Sequence, residues 1–399
     1  MNILFLTLAD FRSFSEHNIY CDLLRELQRM GHQVYCISPA ERRFGLETHF
    51  EEDGRLLKLR IGNTQKTGII EKGISTVMIE PQFIAAIKKH FADIRFDLVL
   101  YSTPPITLAG AIRYVKKRDG ARTYLMLKDI FPQNAVDIGM MTKSGPKGLL
   151  YRYFRNKERE LYALSDRIGC MSRANVDFIL KHNEDLSPDR VEVFPNCIEP
   201  QDVSVSPEER AALRDKYGIP RERKVFVYGG NLGKPQGIPF IIQCLKRLNG
   251  QTDAFLLIVG SGTEFGKLEE YFRTAKPKNM KLMSHLPKDD YDRMVAACDV
   301  GLIFLDDRFT IPNFPSRLLA YMQAGLPVIA CTDPNTDIGQ VAVEGGFGWW
   351  CRANDAEAFA KTVEEACAAD LTAMAEKERQ YLLEHYTVGV NAHLLTDER

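Results

Sequence analysis

The stretch Asn313-Phe314-Pro315-Ser316-Arg317-Leu318-Leu319-Ala320-Tyr321-Met322-Gln323-Ala324-Gly325-Leu326-Pro327-Val328-Ile329-Ala330 reads as a loop, a short helix and a buried strand in succession. Pro315 suits the first position of a helix, with Ser316 and Arg317 inside the first turn. Leu318, Leu319 and Met322 recur at helical spacing and give one apolar face. Gly325 ends the helix, and 326–330 is a strand of a parallel sheet. The unpaired N–H groups and positive dipole end of such a helix suit a phosphate. The same pattern also fits an αβ unit with nothing bound at its tip.

Outward from this stretch, strand and helix patterns alternate along the chain. Residues 3–8 read as a strand, 16–30 as a helix ended by Gly31, and 34–38 as a second strand. Helices are expected over 79–91, 106–117 and 172–181, and strands over 97–101, 123–127, 166–171 and 191–194. Residues 40–75 are polar and irregular, and no element is assigned there. The alternation restarts with a strand over 224–228 and runs through strands at 254–260, 280–284 and 299–305 to terminal helices at 357–368 and 371–385. The reading is α/β, two Rossmann-like doubly wound parallel-sheet domains facing across a cleft. Residues 1–197 form the first domain and 198–370 the second. Residues 371–399 are a C-terminal helix and tail packing back toward the first.

At 399 residues, 45% hydrophobic and 26% charged, each half can bury a full core. A net charge of −1 gives no support for nucleic-acid binding. No apolar run approaches the ~18 residues of a membrane span. No basic leader or cleavage site precedes Ile3-Leu4-Phe5-Leu6, so no signal peptide is expected. Nine scattered cysteines with no Cys-x-x-Cys pair fit reduced, buried thiols in the cytoplasm. The stretch 143–162 mixes Lys143, Lys147, Arg152, Arg155, Lys157 and Arg159 with Leu149, Leu150, Tyr151, Tyr153 and Phe154. Such a helix either packs its apolar face on the sheet or lies on an anionic membrane.

Several loops at strand ends carry candidate chemistry. Tyr228-Gly229-Gly230-Asn231-Leu232-Gly233-Lys234-Pro235-Gln236-Gly237 follows a strand and opens a helix, so its backbone can approach a phosphate beside Lys234. It is neither Gly-x-Gly-x-x-Gly nor a P-loop; a turn needing positive φ is the plainer reading. Gly260-Ser261-Gly262 and Ser284-His285-Leu286-Pro287 add rim loops, and His285 is a packing residue or a ligand. In the first half, the loop holding Ser13 and Ser15, the Ser102-Thr103-Pro104-Pro105 turn and the Lys128-Asp129 pair occupy strand ends. Asp129 suits either a cleft or a turn.

These segments, with Pro195-Asn196-Cys197-Ile198 and Ala297-Cys298-Asp299-Val300-Gly301, stand in an order that resembles the family 4 glycosyltransferases of the GT-B type. The resemblance covers nearly the whole chain. It is nearest to bacterial O-antigen, capsule and exopolysaccharide transferases of the N-acetylfucosamine-transferase-like subgroup. It implies a retaining transfer, independent of metal and of any cofactor, from a nucleotide-sugar bound on the C-terminal domain. A UDP-linked donor, such as an N-acetylamino sugar, is expected, with a glycan or polyprenyl-diphosphate-linked acceptor. Lys234, Arg317 and Asp129 are the expected catalytic residues. Gly230, Asn231, Gly233, Gly237, Gly260, Ser261, His285, Leu286, Pro315, Ser316 and Leu318 are assigned to the donor. Ser13, Ser15, Ser102, Thr103 and Lys128 are assigned to the acceptor side.

The chain departs from the family where a Glu-x7-Glu spacing is usual, since Pro312 and Ala320 occupy those positions. Asp306, Asp307 and Asp337 are candidates to replace the ribose-binding carboxylate. The usual Arg and Lys of the glycine loop align with Asn231 and Gln236. Two rival readings follow: a catalytically inactive nucleotide-binding partner subunit, and a nucleotide-sugar 2-epimerase on the same fold. A cytoplasmic location, with peripheral contact to the inner face of the plasma membrane through 143–160, completes the expectation.

Overall fold

The computed structural model describes residues 1–64, 67–145, 148–250 and 253–397. Lys147 of the basic stretch lies outside them. The chain divides into two units, Met1–Glu199 with Val388–Arg399, and Pro200–Thr387.

The first unit is built on eight strands, β1 (Asn2–Leu6), β2 (Gln33–Glu41), β3 (His49–Glu51), β4 (Leu56–Ile61), β5 (Leu98–Ser102), β6 (Arg122–Leu127), β7 (Arg167–Cys170) and β8 (Val191–Val193). Their order is β3-β4-β2-β1-β5-β6-β7-β8, parallel except for the β3–β4 pair. Parallel strands covered on both faces read as unbroken apolar runs. Asn2-Ile3-Leu4-Phe5-Leu6 and Leu98-Val99-Leu100-Tyr101-Ser102 show this, with Ile3 to Leu6 and all of β5 buried. The unassigned region 40–75 holds β3, β4 and the start of helix Ile69–His90, which begins ten residues before the expected one. β4 hid because it buries Lys58, whose ammonium is satisfied by Asp10 (2.5 Å), Ser38 Oγ (2.9 Å) and the Phe11 carbonyl (2.9 Å).

The second unit has six parallel strands, β9 (Val225–Asn231), β10 (Phe255–Ser261), β11 (Met280–Met283), β12 (Val300–Phe304), β13 (Val328–Thr332) and β14 (Gly348–Arg352). Their order is β11-β10-β9-β12-β13-β14. Relabelled from one, this is 3-2-1-4-5-6, the doubly wound order with its reversal between the first and fourth strands. Helix Arg317–Ala324 starts later than expected: Ser316 is its N-cap and Pro315 precedes it. The entry is a tight turn in which Leu318 N–H reaches the Pro315 carbonyl (3.2 Å) and Leu319 N–H the Ser316 carbonyl (3.1 Å).

The expected tail divides between the units. Helix Leu371–His385 packs on helix Arg317–Ala324 in the second unit, whereas the chain from Val388 belongs to the first. There Val388, Ala392 and Leu395 join the core around β1, β2 and β5. Eight of the nine cysteines are buried, Cys367 is partly so, and all are free thiols. Among the described residues no helix is long and apolar enough to cross a membrane.

Candidate active site

The second sheet reverses direction between β9 and β12, and ligands of doubly wound sheets gather at the strand carboxyl ends beside such a reversal. The two strands pair only at Val300–Phe226 and Gly301–Val227. Beyond that point the phenol of Tyr321 takes over from the ladder. It accepts from Gly229 N–H (3.3 Å) and faces the carbonyls of Val227 (3.1 Å) and Leu302 (3.2 Å). Burial pushes its pKa up to about 12, so the hydroxyl stays a donor.

The glycine loop closes the β9 side of this crevice. Gly230 has φ +124°, a region that side chains avoid, and both Gly230 and Asn231 are exposed. On the neighbouring strand a Cβ at Gly260 would lie 1.9 Å from the Gly230 carbonyl, so only glycine lets β10 pass. Gly260 and Ser261 pair with Gly230 and Asn231, and the Ser261 carbonyl accepts from Leu232 N–H at 2.9 Å. The expected donor residues Gly230, Asn231, Gly233, Gly260 and Ser261 thus form one backbone patch. Asn231 and Gln236, which stand where the family has cations, brace the loop instead. Gln236 Oε1 accepts from Asn231 Nδ2 (3.2 Å) and Gly233 N–H (3.1 Å). Gly237 then caps helix Ile238–Leu248.

Arg317 supplies the positive charge. Its guanidinium stacks on the Tyr228 ring at 4.2 Å and stands 3.3 Å from the Cβ position of Gly230. Burial opposes the charge, but the surrounding Tyr228, Tyr321 and Tyr291 phenols hold the pKa above its ordinary value. Nη1 is buried and has no hydrogen-bond partner among the described residues. Among the described residues Arg317 makes no ion pair, and neither does exposed Lys234 at the head of the Lys234–Gln236 turn. The turn bearing Arg317 is shored from behind: Asn313 N–H donates to Thr336 Oγ1 (2.9 Å), which donates to buried Asp333 (3.1 Å).

Other expectations fare differently. Leu318 is a core residue with 0% exposure, and its N–H is already bonded to Pro315, so neither part of it can hold a donor. Ser316 is exposed and its side chain caps nothing, while its carbonyl is taken by Leu319 N–H (3.1 Å). His285 is exposed beyond β11, the edge strand, with β10 between it and the crevice strand β9. Asp306 is engaged by Arg308 (2.7 Å) and Asp307 by Arg352 (2.7 Å) and Asn354 (2.9 Å), while Asp337 opens helix Ile338–Glu344. Both ion-paired carboxylates are thereby committed away from a ribose.

In the first unit the reversal lies between β1 and β5. Ser102 and Thr103 end β5 but are buried, which removes their side chains from any sugar. Thr103 Oγ1 accepts from the N–H groups of Lys128 (3.1 Å) and Asp129 (3.2 Å), and Ser102 lies against the Tyr20 hydroxyl. Thr103 thereby sets the turn after β6. There Asp129 takes the Asn134 amide on both oxygens (2.8 and 2.7 Å), yet burial raises its pKa to about 6. Burial also lowers Lys128 to about 8, and its ammonium reaches the Pro195 carbonyl (3.3 Å) over the Phe194 ring. Ser13 and Ser15 bond each other (2.6 Å), and Ser13 also bonds Glu52, which fixes their loop. His17, Asp22 and Glu199 bring ligand atoms within 4.8 Å, but Arg25 already pairs with both carboxylates. Nothing in the sequence marked Tyr291, whose hydroxyl lies on Gly229 from another helix. Tyr321 was readable, four residues from Arg317 on one helix face.

Residues 18–202 match Glycosyltransferase Family 4, and residues 209–382 match Glycosyl transferases group 1. The probable glycosyltransferase WbjE of Pseudomonas aeruginosa is 26% identical over 327 residues, 81% of this chain and 79% of that protein. WaaG, a glycosyltransferase involved in lipopolysaccharide biosynthesis, superposes with a TM-score of 0.67 at 16% identity over 99% of both chains. Anabaena HepE in complex with UDP superposes with a TM-score of 0.68 at 14% identity, over 99% of this chain and 98% of that one.

Proposed function

The chain belongs to the family 4 glycosyltransferases of the GT-B type, and from that premise we propose that it is a retaining transferase using a UDP-sugar. The observation that carries this is the Arg317 guanidinium, lodged against exposed Gly230 with, among the described residues, no partner for Nη1 and no carboxylate to neutralise it. A diphosphate laid on Gly230 and Asn231 would meet that charge, the N–H groups at Ser316 and Arg317, and Lys234. These groups stabilise the negative charge that develops as the sugar leaves. The acceptor hydroxyl adds on the same face and gives its proton to the departing phosphate, so neither a metal nor a cofactor enters. Asp129, whose burial raises its pKa to about 6, orients the acceptor hydroxyl in its ionised form and takes no proton from it. UDP is favoured because HepE binds it, and a hexose or N-acetylhexosamine fits the family. Cell-surface polysaccharide synthesis is the setting, as for WaaG, whether O-antigen or capsule.

The acceptor is a glycan or a polyprenyl-diphosphate-linked molecule, met at the inner face of the plasma membrane. Helix Gly148–Leu164 supports this: Leu149 (65%), Leu150 (51%) and Tyr153 (47%) are exposed beside exposed Lys143 and Arg152. An apolar stripe edged by cations suits an anionic bilayer.

A thermal-shift panel of UDP, GDP, ADP and TDP, followed by the sugar nucleotides of the base that binds, tests the donor. A hundredfold excess over Kd stabilises by ~2.7 kcal/mol. Binding of a nucleoside diphosphate without its release from any sugar donor would instead identify a partner subunit.

A further inference from the structure

An arginine that must hold an anion needs an anchor, and carboxylates are the usual one. A carboxylate anchor would cancel the charge on offer. Among the described residues Arg317 has no such anchor; its guanidinium lies on an aromatic face. Tyr228, the residue beneath it, is itself fixed twice. Its ring is fully buried in the strand core, and its hydroxyl donates to the Asn231 carbonyl at 2.7 Å. Asn231 belongs to the exposed patch against which the guanidinium rests. One side chain therefore ties the cation and the phosphate-facing backbone into a single geometry. The adjoining glycines make room for this: a Cβ at Gly229 would overlap the Tyr291 hydroxyl, and one at Gly230 would crowd Arg317.

We infer that Tyr228 is the positioning residue of Arg317, an anchor that fixes the guanidinium over the glycine loop without neutralising it. The inference rests on the donor reading above for its consequence, though not for its geometry. A cation–π contact shielded from water contributes about 2 kcal/mol, roughly thirtyfold in affinity. Most of that contribution reaches the ligand only through Arg317.

The test is a double-mutant cycle read by UDP affinity, together with a crystal structure of the Tyr228→Leu protein without nucleotide. Tyr228→Leu is expected to weaken UDP about ten- to thirtyfold. Tyr228→Phe, which keeps the ring, is expected to restore affinity to within about threefold of the parent. In an Arg317→Ala background Tyr228→Leu should cost nothing further, whereas a purely structural tyrosine would cost as much again. The crystal structure should show the guanidinium displaced from Gly230. Additive losses in the cycle, or an unmoved guanidinium, overturn the inference. A parent protein that binds no UDP would remove the UDP reading alone, and the crystal structure would then decide the role of Tyr228.

Discussion

Replacing Glu378 by methionine is expected to stabilise the C-terminal unit, and by more at pH 7 than at pH 5. Glu378 sits in helix Leu371–His385 with 0% exposure, and both its carboxyl oxygens lack a hydrogen-bond partner. Leu382, one turn on, is buried on the same face, so the carboxyl occupies an apolar position. Burial alone pushes its pKa well above the ordinary value. A raised carboxyl pKa means that the folded chain holds a proton the unfolded chain releases. The stability linked to that proton is complete below the ordinary carboxylate pKa and is lost as pH rises toward the folded value. The loss runs at up to ~1.4 kcal/mol per pH unit, which bounds the change between pH 5 and pH 7 at ~2.7 kcal/mol. For a unit of this size that bound is a melting difference of roughly 5–11 °C. The assay is calorimetric melting of parent, Glu378→Met and Glu378→Gln at half-unit intervals of pH. Subtracting the parent cancels every other titration. Both variants should show a gap that widens with pH, and methionine should add a constant gain because it also removes the unpaired polar atoms. A gap that stays flat from pH 5 to pH 7 would refute the reasoning.

Arg317→Ala and Lys234→Ala are each expected to cut turnover ~10²–10³-fold while leaving the fold unchanged, as the loss of one charge-stabilising donor does. Parent-like turnover in both would remove them from the chemistry. Asp129, with a pKa of about 6, should give the pH–rate profile an acidic limb near that value, and Asp129→Asn should abolish the limb. The same raised pKa makes Asp129 stabilising only below its ordinary range, so Asp129→Asn should gain stability over the parent from pH 4 to about 6 and then level off. Leu149→Asp with Leu150→Asp should abolish co-sedimentation with vesicles rich in phosphatidylglycerol without altering UDP affinity; equal sedimentation of parent and variant would exclude that helix.

What the sequence disclosed, and what it withheld, follows from where the determining forces lie. The 313–330 stretch was legible because helix periodicity, a terminating glycine and a continuous apolar strand are local signals. Helix Pro207–Tyr217 carried its own mark, Ser206 capping Glu209 N–H (3.2 Å) ahead of Pro207, yet its polar composition masked it. Strand β14 did not announce itself because Gly348-Trp349-Trp350-Cys351-Arg352 is short and lies at the sheet edge. At the site, Arg317, Lys234 and the glycines stood out as residue types with a phosphate role. Ser102 and Thr103 share that polar look, but packing turned both inward, and no local pattern reports that. Tyr291 becomes visible only when its helix, Lys288–Ala296, is laid against Gly229.

The segment from Val388 gives this chain a nested grammar: the C-terminal unit is a parenthesis opened at Pro200 and closed at Thr387. A fragment stopping at Glu199 would lack Val388, Ala392 and Leu395 and bare the apolar floor they cover. Chimeras that exchange donor halves between relatives therefore need two junctions, with the last segment inherited from the parent that contributes the opening one.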